Sequence, residues 1–168
     1  TDTDTDSGQT INMNRGVQFE PVGVRLFNTT PIALAFKNAS DEGYAVAAGI
    51  DRLVRVVLNA SGSPTINPPT NASDPGGIIR IPVGKHPQGI AINSDDTRAY
   101  VFNYISRDVS VIDIETRSVT ANTEIDRVAA ADLPAAGTIE AIVHHGKELF
   151  NTSIGPAGTN ANSLPPAG

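Results

Sequence analysis

The sequence predicts an all-β chain built from repeated antiparallel sheets, and three observations carry that expectation. The first is the stretch Pro87 to Ile114, PQGIAINSDDTRAYVFNYISRDVSVIDI. It contains three short apolar runs, at Gly89–Ile92, Ala99–Phe102 and Val109–Ile112, the last interrupted by Ser110. Ser94-Asp95-Asp96 and Ser106-Arg107-Asp108 separate them, the small polar residues that bend a chain between strands. The second is that the pattern occurs twice. Pro31 and Tyr44 precede Pro87 and Tyr100 by 56 residues, and Val54 and Val56 precede Val109 and Val111 by 55, which reads as a one-residue slip in a turn. Self-similarity at such a period is the mark of repeat architecture. The third is composition. Of 168 residues, 39% are apolar but only 5% aromatic, with 15 Gly and 12 Pro, which suits a turn-rich β protein better than a helical bundle.

Taken in order, residues 1–16 form a polar segment. Thr1 to Gln9 holds no apolar residue and reads as a loosely tied end. Its acids suggest a hard cation such as Ca²⁺, but the Gly and closing Glu of an EF-hand loop are missing. Residues 17–126 hold the repeats, divided at about 24–77 and 78–126. Val24–Phe27 is expected as a short strand. Pro31–Phe36, Tyr44–Ala48 and Leu53–Leu58 follow, with turns at Lys37–Gly43 and Gly49–Arg52. Asn59–Gly77 is rich in Asn, Ser, Pro and Gly, has one charge, Asp74, and no aromatic, and reads as a tolerated insertion. Ile78–Val83 is a strand leading into the second copy, and Ser118–Ile125 a fourth, outer strand. Residues 127–168 form a linker, a short helix and a tail. Pro134-Ala-Ala-Gly137 is a hinge, Thr138 a helix cap, and Ile139, Ile142, Val143 and Leu149 give helical spacing as far as Phe150.

The formal net charge of −6, with no Lys/Arg cluster to offset it, argues against nucleic-acid binding. With no Cys, the chain holds no disulfide, thiolate metal site or Cys-x-x-Cys-His haem attachment. No apolar stretch reaches membrane-spanning length. His86, His144 and His145 are the histidines. His86 is expected in a solvent-exposed loop. Adjacent helical residues point about 100° apart, so His144 and His145 cannot share one metal without distortion. They remain the weak candidates for contact with a cofactor. Asp51, Asp95, Asp96, Asp108 and Asp113 recur at turns, where a carboxylate holds backbone N–H groups. Gly84-Lys85 lacks the upstream Gly and following Ser/Thr of a phosphate loop. No catalytic constellation and no metal site emerge from these patterns. Asn28, Asn38, Asn59, Asn71 and Asn151 each open an Asn-x-Ser/Thr sequon, a composition that also fits a surface glycoprotein or adhesion module.

Val83-Gly-Lys-His-Pro-Gln-Gly-Ile-Ala-Ile-Asn, followed by Arg98-Ala-Tyr-Val-Phe-Asn and Asp108-Val-Ser-Val-Ile-Asp, resembles the YVTN β-propeller repeat. About 35 residues carry the likeness. The departure is Asn93-Ser94-Asp95-Asp96-Thr97, where that repeat has Ser-Pro-Asp-Gly. The first copy keeps Pro31, Tyr44, Val46, Asp51 and Val54. The resemblance implies four-stranded antiparallel blades packed face to face, with the strand after the Pro nearest a central channel. Propellers have about four to eight blades, so a count of two implies a fragment of a larger propeller, its other blades coming from the same polypeptide or another chain. Ala141-Ile-Val-His-His-Gly-Lys-Glu-Leu-Phe is similar to the opening helix of c-type cytochrome domains of the dihaem-peroxidase kind, where Gly-x-x-Leu-Phe precedes the haem motif. That likeness implies a secreted bacterial protein, periplasmic or extracellular, in which the propeller is a scaffold beside a redox protein or domain. Haem c would belong to a part beyond these residues. A peroxidase-like or other redox enzyme is the alternative from a different class.

Overall fold

A computed structural model describes residues 30–65, 80–115 and 123–152. The strands are β1 (Pro31–Phe36), β2 (Glu42–Ala47), β3 (Arg52–Leu58), β4 (Pro64–Thr65), β5 (Arg80–Pro82), β6 (Pro87–Ile92), β7 (Arg98–Asn103), β8 (Asp108–Asp113) and β9 (Glu124–Ala129). One helix, α1, spans Ile139–Asn151. Every strand pairing is antiparallel. The first sheet runs β1-β2-β3 with β4 and β5 both on the outer edge of β3, and the second runs β6-β7-β8-β9. The chain thus forms two four-stranded blades of the β-propeller kind followed by a helix.

The two blades repeat at the level of hydrogen bonds. Pro31 pairs with Ala47 and Pro87 with Asn103, and the register slips at Pro31/Ala33 and again at Pro87/Gly89. Thr30 and His86 both take positive φ, and their carbonyls accept from the backbone N–H of Ala48 and of Tyr104. Asp51 and Arg107 are left-handed at the equivalent tight turns. Each of these pairs is 56 residues apart. The third strands keep that spacing: Tyr44 pairs with Arg55 and Tyr100 with Val111, while Val46 pairs with Leu53 and Phe102 with Val109. The expected slip to 55 is therefore corrected. Leu53 and Arg55 are the counterparts of Val109 and Val111, and Val54 and Val56 those of Ser110 and Ile112. A one-residue shift would turn every side chain to the opposite face. Sequence missed it because both faces of β3 are apolar, so valine matched valine out of register.

The outer strands differ. Arg80–Pro82 faces Val54–Arg52 as Arg127–Ala129 faces Ser110–Asp108, a spacing of 47. The inner strands are 56 apart, so the first repeat carries nine more residues in its outer region. β4 and β5 share the edge of β3 at its two ends, which places the extra length within the fourth strand. The strand expected before the second copy pairs with β3 instead, so it completes the first sheet. Of the expected outer strand Ser118–Ile125, residues 118–122 lie outside the described residues, and the strand that is seen there, Glu124–Ala129, runs on past Arg127. Residues 1–16, the expected strand Val24–Phe27 and most of the insertion lie outside the described residues.

The blades pack through Tyr44, Val46, Leu53, Ile81 and Val83 on one side and Ala99, Val101, Ile112 and Ile114 on the other, with β1 and β2 against β6. Full burial of an aliphatic side chain of this size contributes about 1.5–3 kcal/mol. The opposite face of the first sheet is buried too, at Ala45, Ala47, Val54 and Val56. This explains why β2 shows no polar alternation. A buried polar network crosses the middle of the junction. Lys37 Nζ lies 3.2 Å from Glu42 Oε1, donates to the Ile114 carbonyl at 2.5 Å, and Tyr44 donates its hydroxyl to Glu42 Oε1. Both charges are nearly fully buried. Buried ions persist only when paired and hydrogen-bonded in this way.

Candidate functional site

Two loop clusters fasten the blades together, one at each end. At the first, Asp51 follows a short 3-10 turn at Ala48–Ile50 and holds the left-handed backbone that lets its side chain reach across. Its Oδ1 accepts from the His86 backbone N–H at 2.7 Å. Burial pushes this carboxyl above the ordinary aspartate range, against the opposing pull of that hydrogen bond and of Arg52 and Lys85. Around it, Lys85 donates its N–H to Ser106 Oγ at 3.0 Å, and Gly84 donates to Ser110 Oγ at 3.1 Å. Asn103 donates to Asp108 Oδ1 at 2.7 Å and to Ser110 Oγ at 2.9 Å. A Cβ at Gly84 would sit 2.4 Å from Ser106 Oγ and 2.5 Å from Asn103 Nδ2, so only glycine fits this close approach. His86 is half-buried rather than exposed as expected, its ring edge-on to Tyr104 at 6.2 Å.

The second cluster uses Asp96, left-handed in the β6–β7 turn. Its two carboxylate oxygens accept from the backbone N–H of Asn38 at 2.8 Å and of Ala39 at 2.9 Å, both in the corresponding turn of the first blade. Those N–H groups hold the Asp96 carboxyl below its ordinary value. Asn38 adds an Nδ2 contact to Asp96, so this sequon side chain is engaged at the junction. Asp95 is exposed in the same turn, and Asp108 is buried among Asn103, Ser106 and Arg127. Asp113 pairs with Arg98 at 3.0 Å on the other face of the sheet. The turn acids therefore sit at three separate locations. Asp51 and Asp96 grip the neighbouring blade, while Asp108 organises its own.

α1 begins where Thr138 Oγ1 accepts from the Ala141 N–H at 3.2 Å. Its apolar side chains all point to solvent: Ile139, Ile142, Val143, Leu149 and Phe150 are exposed, Phe150 by 89%. The polar side leans on the blades instead, through an ion pair between Lys85 and Glu148. His144 is half-buried on that side, and exposed His145 lies 3.8 Å from Glu148 Oε2 through Nδ1. These residues do not fit a covalently attached haem. The chain has no cysteine, and the two histidines leave the helix in different directions. Among the described residues no helix is long and apolar enough to cross a membrane.

A surface that sequence reasoning did not single out is the outer face of the second blade. Tyr100, Phe102 and Val128 are 41%, 43% and 52% exposed there. The signal was present, since three of the chain's eight Phe and Tyr residues fall at alternate positions 100, 102 and 104.

No protein-family model and no curated protein matches the sequence. Solved structures do show likeness. A putative 6-phosphogluconolactonase from Bacteroides uniformis superposes with a TM-score of 0.49 at 14% identity, over 66% of this chain and 29% of that one. The periplasmic gluconolactonase of Pseudomonas aeruginosa gives 0.46 at 17% identity, over 64% and 27%. Hydrazine synthase of Kuenenia stuttgartiensis gives 0.45 at 18% identity, over 68% and 28%. The chain spans less than a third of the length of each.

Proposed function

We propose that this chain is the scaffold portion of a secreted bacterial protein, periplasmic or extracellular, whose YVTN-type blades hold a c-type cytochrome domain for electron transfer. The observation that carries this reading is the orientation of α1. An amphipathic helix that turns its polar side to its own blades and five apolar side chains to water is built to receive something else. It follows the blades through an exposed linker at Ala131–Gly137, and its Gly146-Lys147-Glu148-Leu149-Phe150 matches the Gly-x-x-Leu-Phe of the cytochrome-opening helix. The blades supply rigidity and position. The haem, held by residues beyond these, would supply the one-electron chemistry.

The test is an absorption spectrum of the native polypeptide purified through this chain, with a haem stain after denaturing electrophoresis. A Soret band that migrates covalently with the polypeptide is the expected result. A native polypeptide without haem, or one no heavier than 17.5 kDa, removes the electron-transfer reading.

A further inference from the structure

We propose that α1 is a hinged arm latched to the blades by the ion pair of Lys85 with Glu148, and that it swings away as a helix when that pair is broken. The chain is fastened to the second blade as far as Asp132. Ala130 and Ala131 donate their backbone N–H groups to the Arg107 carbonyl at 2.8 and 3.2 Å, and Arg107 Nη1 donates to the Asp132 carbonyl at 2.5 Å. The next closed element is the turn Ala135–Thr138. There the Thr138 N–H and hydroxyl both donate to the Ala135 carbonyl, and the same hydroxyl oxygen caps the helix. That turn therefore belongs to α1. Leu133 and Pro134 lie between the two, and among the described residues neither makes a hydrogen bond or ion pair. A rotation at these two residues breaks no bond on either side.

Beyond that pivot, α1 owes its place to one polar contact. None of its 13 residues is buried, so apolar packing does not hold it. Glu148 meets Lys85 Nζ through Oε1. Its other oxygen lies 3.8 Å from His145 Nδ1, and Asn151 donates to the Lys147 carbonyl, but both of these partners ride on the helix itself. Among the described residues no other hydrogen bond or ion pair joins α1 to a blade. Lys85 is a firm anchor, because its backbone N–H is bonded to Ser106 Oγ at 3.0 Å at the junction of the blades. The latch itself is weak, since its two side chains are 53% and 27% exposed and salt screens such a pair. Docked and free arms therefore differ only several-fold in population. Because the blades bury no residue of α1, undocking removes nothing that keeps it helical. The exposed Ile139, Ile142, Val143, Leu149 and Phe150 move with the arm, so the blades offer them at a position that ionic strength adjusts.

The inference stands apart from the electron-transfer reading, because it concerns only how residues 130–151 are attached. The chain has no cysteine, so two can be introduced for spin labels without background. Asp95→Cys places one in the exposed β6–β7 turn, and Phe150→Cys places the other at the end of α1 far from the pivot. Dipolar distances are then measured on the 168-residue chain. At about 0.01 M salt one narrow distance should predominate, and at about 1 M, where the Debye length is about 3 Å, a broad second population should grow several-fold. Glu148→Lys should give the broad distribution at both salt concentrations. Lys85→Glu combined with Glu148→Lys, which reverses the pair, should restore the narrow one. Far-UV circular dichroism should show the same helix content throughout. A single distance unmoved by salt and by Glu148→Lys overturns the proposal. So does a reversed pair that fails to restore the narrow distance, or a loss of helix that accompanies the broadening.

Discussion

In the first blade β2 and β3 are buried on both faces, whereas their counterparts β7 and β8 in the second are buried on one, although the blades share turn geometry and register. In the first, β2 buries all six of its residues. In the second, β7 alternates, hiding Ala99, Val101 and Asn103 while Tyr100 and Phe102 face outward. The difference teaches that the position of a blade in a stack, not its own sequence pattern alone, decides what each face costs to expose. An aromatic at position 44 is core, and the same aromatic at position 100 is surface.

That contrast can be broken most sharply at the polar positions. Lys37→Met removes the cation from a nearly fully buried pair with Glu42 and should cost about 3–5 kcal/mol. Arg98 and Asp113 form the half-exposed pair of the second blade, and Arg98→Met should cost about 0–1 kcal/mol. Urea denaturation of both variants checks the ranking, and equal losses would show that the junction does not bury the first pair. Next in size is the apolar pair at equivalent positions. Leu53→Ala should destabilise by about 2–5 kcal/mol, as deletions in closed cores do. Val109→Ala, on the half-covered face, should cost well under half of that in the isolated chain. Similar midpoint shifts for the two would contradict the difference in burial.

The two inter-blade carboxylates sharpen the comparison through pH. The Asp96 carboxyl titrates below its unfolded value, so its stabilisation is present above about pH 4 and is lost as pH falls through the folded value. Asp51 titrates above its unfolded value, so the folded state holds that proton more tightly. Its contribution is largest at acid pH and declines as pH rises through the raised value. Asp96→Asn should therefore flatten the acid limb of the stability profile. Asp51→Asn, which keeps an acceptor for the His86 N–H and removes a buried charge, should hold or raise stability at pH 7, whereas Asp51→Ala should lose about 1 kcal/mol with the hydrogen bond. Thermal melts from pH 3 to pH 8 report both, and profiles of the same sign would refute the assignment. The smallest effect belongs to Lys85 and Glu148. Glu148→Gln should shift stability by about 0–1 kcal/mol and only at low salt, as expected for an exposed pair.

Much of the blade architecture was legible in the residues. Apolar runs bounded by Asn, Asp and Ser gave the strands β1, β2, β6, β7 and β8, and Thr138 with its helical spacing gave α1. Register was not legible in β3, because a strand buried on both faces carries no alternation to fix it. β5 lies within the expected strand Ile78–Val83, but its pairing to β3 was not legible, and the end of β9 was not legible because half of its residues, Glu124, Asp126 and Arg127, are polar and no apolar run marks its limit. Of the candidate site, the turn acids could be named but not their partners. Asp51 reaches His86, 35 residues on, and Asp96 reaches Asn38, 58 residues back. Those contacts exist only once two blades are stacked. The outward aromatics of β7 need the same knowledge, since whether a tyrosine is covered depends on what lies beyond the chain.

The divided fourth strand of the first blade has a consequence for change in this protein. β4 and β5 each hold one end of β3 by their own backbone pairing, so the edge is fastened on both sides of the segment between them. Closing a longer loop adds only about 0.6 kcal/mol for each doubling of its length. The periphery of a blade is thus a port where new sequence can enter without disturbing the junction. A peptide tag or small domain placed between residues 66 and 79 should leave the Tyr44 core intact, whereas the four-residue link from Val83 to His86, whose backbone N–H groups all donate, to Asp51, Ser110, Ser106 and Asp51 in turn, admits none.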